Sequence, residues 1–394
     1  MLSLDSARPL KDTTDGNLQR LCTLLWDWEM CNACSRGQQC QEPGCPWQRS
    51  SRLEIFFAFY GRVTSSYVPE LEAGSPAALR SHDDLLNLIE MIKREPTRTR
   101  AELTEAYFTG RGKPGTSPPP VDQHRAVNLA VQVISMVSCS ASERAPGGVL
   151  EKGILPTLWQ DGVCFADFLS SAFPGSEEDT SMALEPRRIQ PEVKFAISAA
   201  RLKKIAGLRF EPTDDLKNHL RLDSQNGVIK IYHQTSVLRE HIAAHEKDLR
   251  ESSSGSSSRM SAILAQVSRE VLHSIQVVLF RFNTPSEDVL RSLVRKESLD
   301  PDYIQYGFGV GEDNLEYSCF GSKLMDLYDE VDNPSPRGFM EKWFERKSGA
   351  RYVMMATFIG VVIAVVLGIL SLAVGIFQSW VAYQAWKHPV STAG

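Results

Sequence analysis

The sequence predicts a mainly α-helical protein with a few short strands, of the α+β class, that ends in a single transmembrane helix. Three observations predict it. Apolar residues recur at helical spacing through most of the chain. Stretches suited to strands are few and short, GLRF and VIKIYH. Tyr352–Phe377 carries no charged residue, and it exceeds the roughly 20 residues that a helix needs to cross the hydrocarbon core.

At 394 residues the chain has room for two ordinary domains, or for one large domain with appendages. A content of 42% hydrophobic and 23% charged residues is that of a folded protein. The net charge of -5 and the pI near 6.0 disfavour a general polyanion binder and so disfavour nucleic acid as a partner. The expected organisation is an N-terminal helix with a cysteine cluster over 1–50 and an α-rich globular cytosolic domain over 51–250. A Ser/Gly linker over 251–259 follows, then a helical region with a basic flank over 260–350, the span over 352–377, and a short tail over 378–394.

Taken in order, MLSLDSARPLKDTTDGNLQR has no apolar run before a small-residue cleavage site, which excludes a signal peptide there. NLQRLCTLLWDWEM has helical spacing and leads into CNACSRGQQCQEPGC. The apolar run in LEIFFAFYGRV suits a buried strand or a helix equally well. SHDDLLNLIEMIKREP is a helix with Ser81 as cap, Asp83 and Asp84 at its positive end and Pro96 as its stop. Thr99 and Glu102 form a capping box for the next helix. GRGKPGTSPPP is a loop, QHRAVNLAVQVISMV a helix, and residues 171–188 a polar connector. A compact unit then combines a helix over Val193–Lys204, a strand at GLRF, a helix TDDLKNHLRL, an Asn226-Gly227 turn, a strand VIKIYH and a helix SVLREHIAAHEKDLR. After the linker ESSSGSSSR come the helices MSAILAQVSREVLHSIQVVLF and SEDVLRSLVRK.

The flanks of the span set its orientation. Lys342, Arg346, Lys347 and Arg351 precede it, whereas Lys387 follows it, so residues 1–351 are expected on the cytosolic side. Tyr352, Trp380, Tyr383 and Trp386 suit the headgroup layers. With so few residues after the span, post-translational insertion as a tail anchor is expected, in the ER or secretory pathway. Within the span, Ala356, Gly360, Ala364, Gly368, Ser371 and Gly375 share one helical face, where small side chains let a second helix approach.

LRFEPTDDLKNHLRLDSQNGVIKIYHQTSVLREHI and ERKSGARYVMMATFIGVVIAVVLGILSLAVGIFQSWVAYQAWKHP resemble a family of uncharacterised proteins of filamentous fungi. The resemblance runs from about residue 80 onward. It implies a helical cytosolic region with one C-terminal span, and it carries no catalytic residue with it.

Four of the eight cysteines, Cys31, Cys34, Cys40 and Cys45, lie in one window with spacing C-x2-C-x5-C-x4-C. On the cytosolic side a stable disulfide knot is disfavoured, which leaves free thiols or zinc. Zinc is preferred, because Gly37 and Pro43-Gly44 supply the turns that a tetrahedral site needs. The spacing is similar to that of zinc knuckles, except that the third ligand is a cysteine one residue late. Trp47, Arg36 and Arg49 beside it keep an RNA-binding zinc module as one alternative.

Asp215 and His219, four apart on the expected helix, with His233 on the next strand, are the candidate acid–base group. A capped helix N-terminus, with Thr213 as the cap, is the simpler account. His241 and His245 have zincin spacing, but Ile242 stands where the metalloprotease base is required, so a solvated helix face is expected. GRGK, the glycines Gly307, Gly309 and Gly311, and the absence of a nucleophile elbow give no further enzyme signature. LLNLIEMIKREPTRTRAELTEAYF reads like two helices of a winged-helix domain, although plain helical packing is preferred. The reading is a tail-anchored, non-enzymatic protein that recruits or scaffolds partners at a membrane. An enzyme built on Asp215, His219 and His233, the RNA-binding module, and an accessory membrane factor of a fungal metabolite or cell-surface programme are the alternatives.

Overall fold

The computed structural model describes residues 8–38, 40, 42–70, 75–109, 117–141, 156–174, 187–188, 191–251, 258–281, 284–297, 299–300, 315–334 and 351–387. The chain divides into two units, Met1–Pro334 and Ser335–Gly394.

In the first unit, α1 (Asp15–Trp26) starts at a capping box in which Thr14 and Asn17 bond reciprocally. It buries Leu21, Cys22, Leu25 and Trp26 against α4 (His82–Arg94) and α10 (Thr235–Glu251). The short helix α2 (Asn32–Ser35) and a 3-10 segment, Pro46–Leu53, lead into α3 (Glu54–Ser65). The ambiguous run LEIFFAFYGRV is thus helical, with Phe56, Phe59 and Tyr60 buried at three- and four-residue spacing. Ser81 occupies the α4 cap position, but its side chain makes no capping bond; Asp84 instead accepts from the Arg80 amide at 2.9 Å. The Thr99–Glu102 capping box forms as expected at the start of α5 (Arg100–Thr109). α6 (Pro120–Ser135) packs on α3, α4 and α5.

After α6, β1 (Cys139–Ser140) and β2 (Thr157–Leu158) pair in parallel. A two-stranded wing is an antiparallel hairpin, so this pairing departs from the winged-helix pattern. α7 (Phe165–Ala172) and β3 (Arg187–Arg188) follow, and then α8 (Pro191–Ala196) and α9 (Ala199–Lys204). The single helix expected over Val193–Lys204 is therefore two, interrupted at Ser198, whose backbone is extended.

β4 (Arg209–Thr213), β5 (Leu222–Asp223) and β6 (Val228–Tyr232) form a sheet in the order β4-β6-β5, parallel between β4 and β6 and antiparallel between β5 and β6. This sheet overturns the expected helix TDDLKNHLRL. Thr213 pairs with Tyr232 as the last residue of β4, and only Leu216–Asn218 turn helically, as one 3-10 turn. Ladder pairing to a strand 19 residues away outweighs local helix propensity here.

α10 and α11 (Arg259–His273) pack along one another on either side of the Ser/Gly stretch, whose residues 252–257 lie outside those described. α11 continues as a π-helical turn, Ser274–Leu279. α12 (Pro285–Glu297) rests on α9 and β4. β7 (Glu316–Tyr317) pairs antiparallel with β3 and precedes α13 (Gly321–Asp332). Glu270 of α11 caps α13: its buried carboxylate accepts from the Ser318, Cys319 and Phe320 amides and the Ser318 hydroxyl at 2.7–3.2 Å. One contiguous core runs from Leu10 to Leu327.

The second unit contains α14 (Arg351–Lys387), 37 residues and about 55 Å long. Its segment Thr357–Gln384 is long and apolar enough to cross a membrane. Gly360, Ala364, Gly368, Ser371 and Gly375 are exposed along it, while the side chain of Ala356 lies outside the described residues. The basic residues Lys342, Arg346 and Lys347, and the glycines Gly307, Gly309 and Gly311, also lie outside them.

Candidate metal centre

The cysteine window folds into a compact knuckle. Cys31 stands at the N-cap of α2 and Cys34 lies on it; the Gly37 amide then donates to the Cys34 carbonyl at 2.9 Å. Gly37 (φ 70°) and Gly44 (φ 98°) both take left-handed backbone, the conformation that lets the chain reverse twice within so few residues. Cys40 and Cys45 are thereby carried back to the first pair. Sγ of Cys31 lies 4.0 Å from Sγ of Cys40, Sγ of Cys34 lies 3.9 Å from Sγ of Cys45, and all four sulfurs fall within 4.8 Å of one another. A tetrahedron with metal–sulfur bonds of about 2.3 Å has edges of about 3.8 Å. The four thiols fit that shape with small adjustments and could hold a metal ion.

None of the eight cysteines is in a disulfide. Cys31, Cys34 and Cys45 are buried and Cys40 is half-buried. Burial pushes the thiols of Cys34 and Cys40 up, and their hydrogen bonds within the cluster add to this for Cys34. Burial opposes ionisation of Cys45 as well, but amide donors from Cys31 and Trp47 and the adjacent thiols outweigh it and bring Cys45 down to about 7. One thiolate forms readily in the cluster and the next is resisted by it, the behaviour that a cation relieves.

The knuckle is held to the body from both ends. Trp28, three residues before Cys31, donates its indole N–H to Glu240 of α10 at 2.9 Å. Arg49, four residues after Cys45, bonds the same carboxylate at 2.9 and 3.2 Å, and its guanidinium lies 5.1 Å from the Trp28 ring centre. Trp47 packs on Phe57, with ring centroids 6.0 Å apart. Trp47 and Arg49 are thus engaged within the protein, whereas Arg36 is exposed. Sequence reasoning missed Glu240, which lies 191 residues beyond Arg49 and has no local signal. The even placement of Trp28 and Arg49 about the cysteines is the one hint available.

The candidate acid–base residues hydrogen-bond to other partners rather than to one another. Asp215 caps the 3-10 turn, accepting from Lys217 N at 2.9 Å and from Ser138 N at 3.3 Å. His219 is fully buried, its Nε2 2.8 Å from the Ser274 hydroxyl and its Nδ1 accepting from Tyr232 N at 3.2 Å; burial holds its pKa well below 6.5. His233 pairs instead with Asp214, at 2.9 Å, which Arg62 and Gln234 also bond. Thr213, expected as a helix cap, accepts from the Asp215 amide at 3.2 Å. His241 and His245 are buried rather than on a solvated face, because α10 is covered by both α1 and α11.

The fold and site define an α-rich body with a four-thiol pocket and, in the same chain, one helix able to cross a membrane. In comparison with known proteins, no family model, no curated protein and no solved structure matches the chain.

Proposed function

We propose that the chain is a tail-anchored, single-pass protein of the ER or secretory pathway whose body faces the cytosol and recruits or scaffolds partners without catalysis. Cys31, Cys34, Cys40 and Cys45 hold one structural zinc in this reading. The dispersal of Asp215, His219 and His233 into separate structural hydrogen bonds carries the choice of scaffold over enzyme. The lipid bilayer is one partner; the body recruits a protein, and the apolar helix docks a partner helix or a second copy of itself. A fungal source rests on the resemblance of the two quoted segments alone.

Zinc suits a site of four soft ligands with no open position, and its binding would fix the ends that Trp28 and Arg49 fasten to α10. Elemental analysis of the chain purified without chelator should find one zinc, and its removal should loosen residues 30–50 selectively. Less than half a zinc with all four thiols freely alkylated would refute that part. The recruiting role is tested by co-purification from detergent-solubilised membranes after cross-linking. A partner in fixed stoichiometry, lost when residues 8–334 are deleted, is expected; a chain recovered without one refutes the reading. A glycosylation sequon placed near residue 255 should remain unmodified, and its modification would reverse the orientation.

A further inference from the structure

A cleft of about 430 Å³ opens between the last turns of α1 and α4 and the paired helices α10 and α11. Its floor is apolar, formed by Leu25, Ile134, Met260 and Leu264, with Ala244 on one wall. His241 also lines it. That side chain is 94% buried, and its Nε2 finds no hydrogen-bond partner among the described residues. Its ring is fixed edge-on to Trp26, with centroids 6.0 Å apart. Burial, aided by the charge of Lys93, lowers its pKa to about 3, so the ring stays neutral at physiological pH. An unsatisfied buried nitrogen carries a desolvation cost that a bound group can relieve.

The charges around the cleft decide what kind of group that is. Lys93 points its ammonium at the terminal carbonyls of α1, donating to Leu24 O and, at 3.0 Å, to Leu25 O. Arg94 and Glu90 neutralise each other at 2.6 Å. Asp27 and Asp248 remain on the rim, Asp248 accepting from Ser261 at 3.1 Å. An anion entering here would meet those two carboxylates and the negative ends of α1 and α4, against which only the positive end of α11 at Ser258–Ser261 stands. A cation would be drawn to those carboxylates but repelled by the Lys93 ammonium, which it would have to displace to use the α1 carbonyls. A neutral ligand avoids both costs.

We propose that this cleft binds a neutral, largely apolar molecule carrying a hydroxyl group, which bonds Nε2 of His241 while its hydrocarbon body covers Leu25, Ile134 and Leu264. The cleft shares no lining residue with the four-thiol pocket. Its volume suits a ligand of ordinary small-molecule size.

Three probes with the same ring test the assignment: cyclohexanol, cyclohexanecarboxylate and cyclohexylammonium. Each is titrated into the full chain in phospholipid nanodiscs with ring-labelled histidines, and the His241 resonance is identified by its loss in His241→Phe. Cyclohexanol should shift that resonance saturably, with both charged analogues at least about tenfold weaker, as roughly 1.4 kcal/mol of unfavourable charge would make them. Ala244→Leu, which fills the cleft and leaves His241 in place, should abolish the shift. His241→Phe, followed from the ligand signals, should weaken cyclohexanol about fivefold to tenfold, the worth of one hydrogen bond. No saturable shift with cyclohexanol, an equal response to either charged probe, or unchanged binding in Ala244→Leu overturns the proposal. The ranking of the three probes on the parent chain decides even if a variant fails to fold.

Discussion

Glu270→Ala isolates the contribution of one buried carboxylate. Glu270 is fully buried and takes up the amides of Ser318, Cys319 and Phe320 just ahead of α13, together with the Ser318 hydroxyl. Alanine leaves three amides without their acceptor, and of these the Phe320 amide is the buried one. An orphaned buried donor costs about 1–3 kcal/mol, while the two half-buried amides regain part of theirs from water. The expected cost is about 3 kcal/mol, concentrated where α13 begins. At about 1.4 kcal/mol per decade, opening of α13 becomes roughly 150-fold more frequent. Amide hydrogen exchange of the full chain in nanodiscs measures this directly: protection over Gly321–Asp332 should fall by about two decades, while α4 and α6 keep theirs. Glu270→Gln, which keeps one acceptor oxygen, should lose less. If exchange in α13 is unchanged in the alanine variant, the carboxylate is not what holds this helix in place.

Acid should weaken the body below pH 6.5. His219 and His241 are kept neutral by burial in the folded chain and charge freely when it unfolds, so their stabilisation is complete above pH 6.5 and is lost as pH falls toward their folded values. With His241 at about 3, that residue alone costs about 2 kcal/mol at pH 5; denaturant titrations at pH 7 and 5 should show it, and His241→Phe should flatten the difference. Glu240→Ala should weaken binding of the proposed zinc about tenfold in a chelator competition, because it frees both ends of the knuckle without touching a ligand; an unchanged affinity would separate the knuckle from α10 energetically. In the apolar helix, a Cβ added at Gly360 or Gly368 meets nothing within 4 Å, so replacing both by Ile leaves the single helix undisturbed and should reduce its self-association in a membrane reporter. Equal association of parent and double variant would remove that face as an interface.

The parts of this fold that were legible in the sequence are those whose cause is local. The capping box of Thr99 and Glu102 and the turns at Gly37 and Gly44 each follow from residues a few positions apart. Ser81 shows the limit of that reasoning, since a residue of the right type stands at the right place and the neighbouring Asp84 serves the backbone instead. Where the cause is remote, the reading failed. Thr213 and Asp215 look like a helix start, yet strand pairing with Val228–Tyr232 keeps the chain extended to Thr213. His241 and His245 look like a polar stripe and are buried because α1 and α11 cover them. The four cysteines were visible as a group through spacing alone, whereas Glu240, which fixes their position, carries no sign of it.

The late closure of the body has a consequence for how the chain is made. β3 finds its partner only in β7, at Glu316–Tyr317, and Glu270 finds the amides it caps only at residues 318–320. α13 ends at Asp332 and the apolar helix α14 begins at Arg351, 19 residues later. At about 5–20 residues per second, a ribosome covers that interval in roughly one to four seconds. Synthesis of this apolar segment therefore begins within seconds of the completion of α13. If the apolar helix is delivered to a membrane after synthesis, as proposed, it must be shielded during the same short window in which the body is closing, and a delay in folding becomes a delay in delivery.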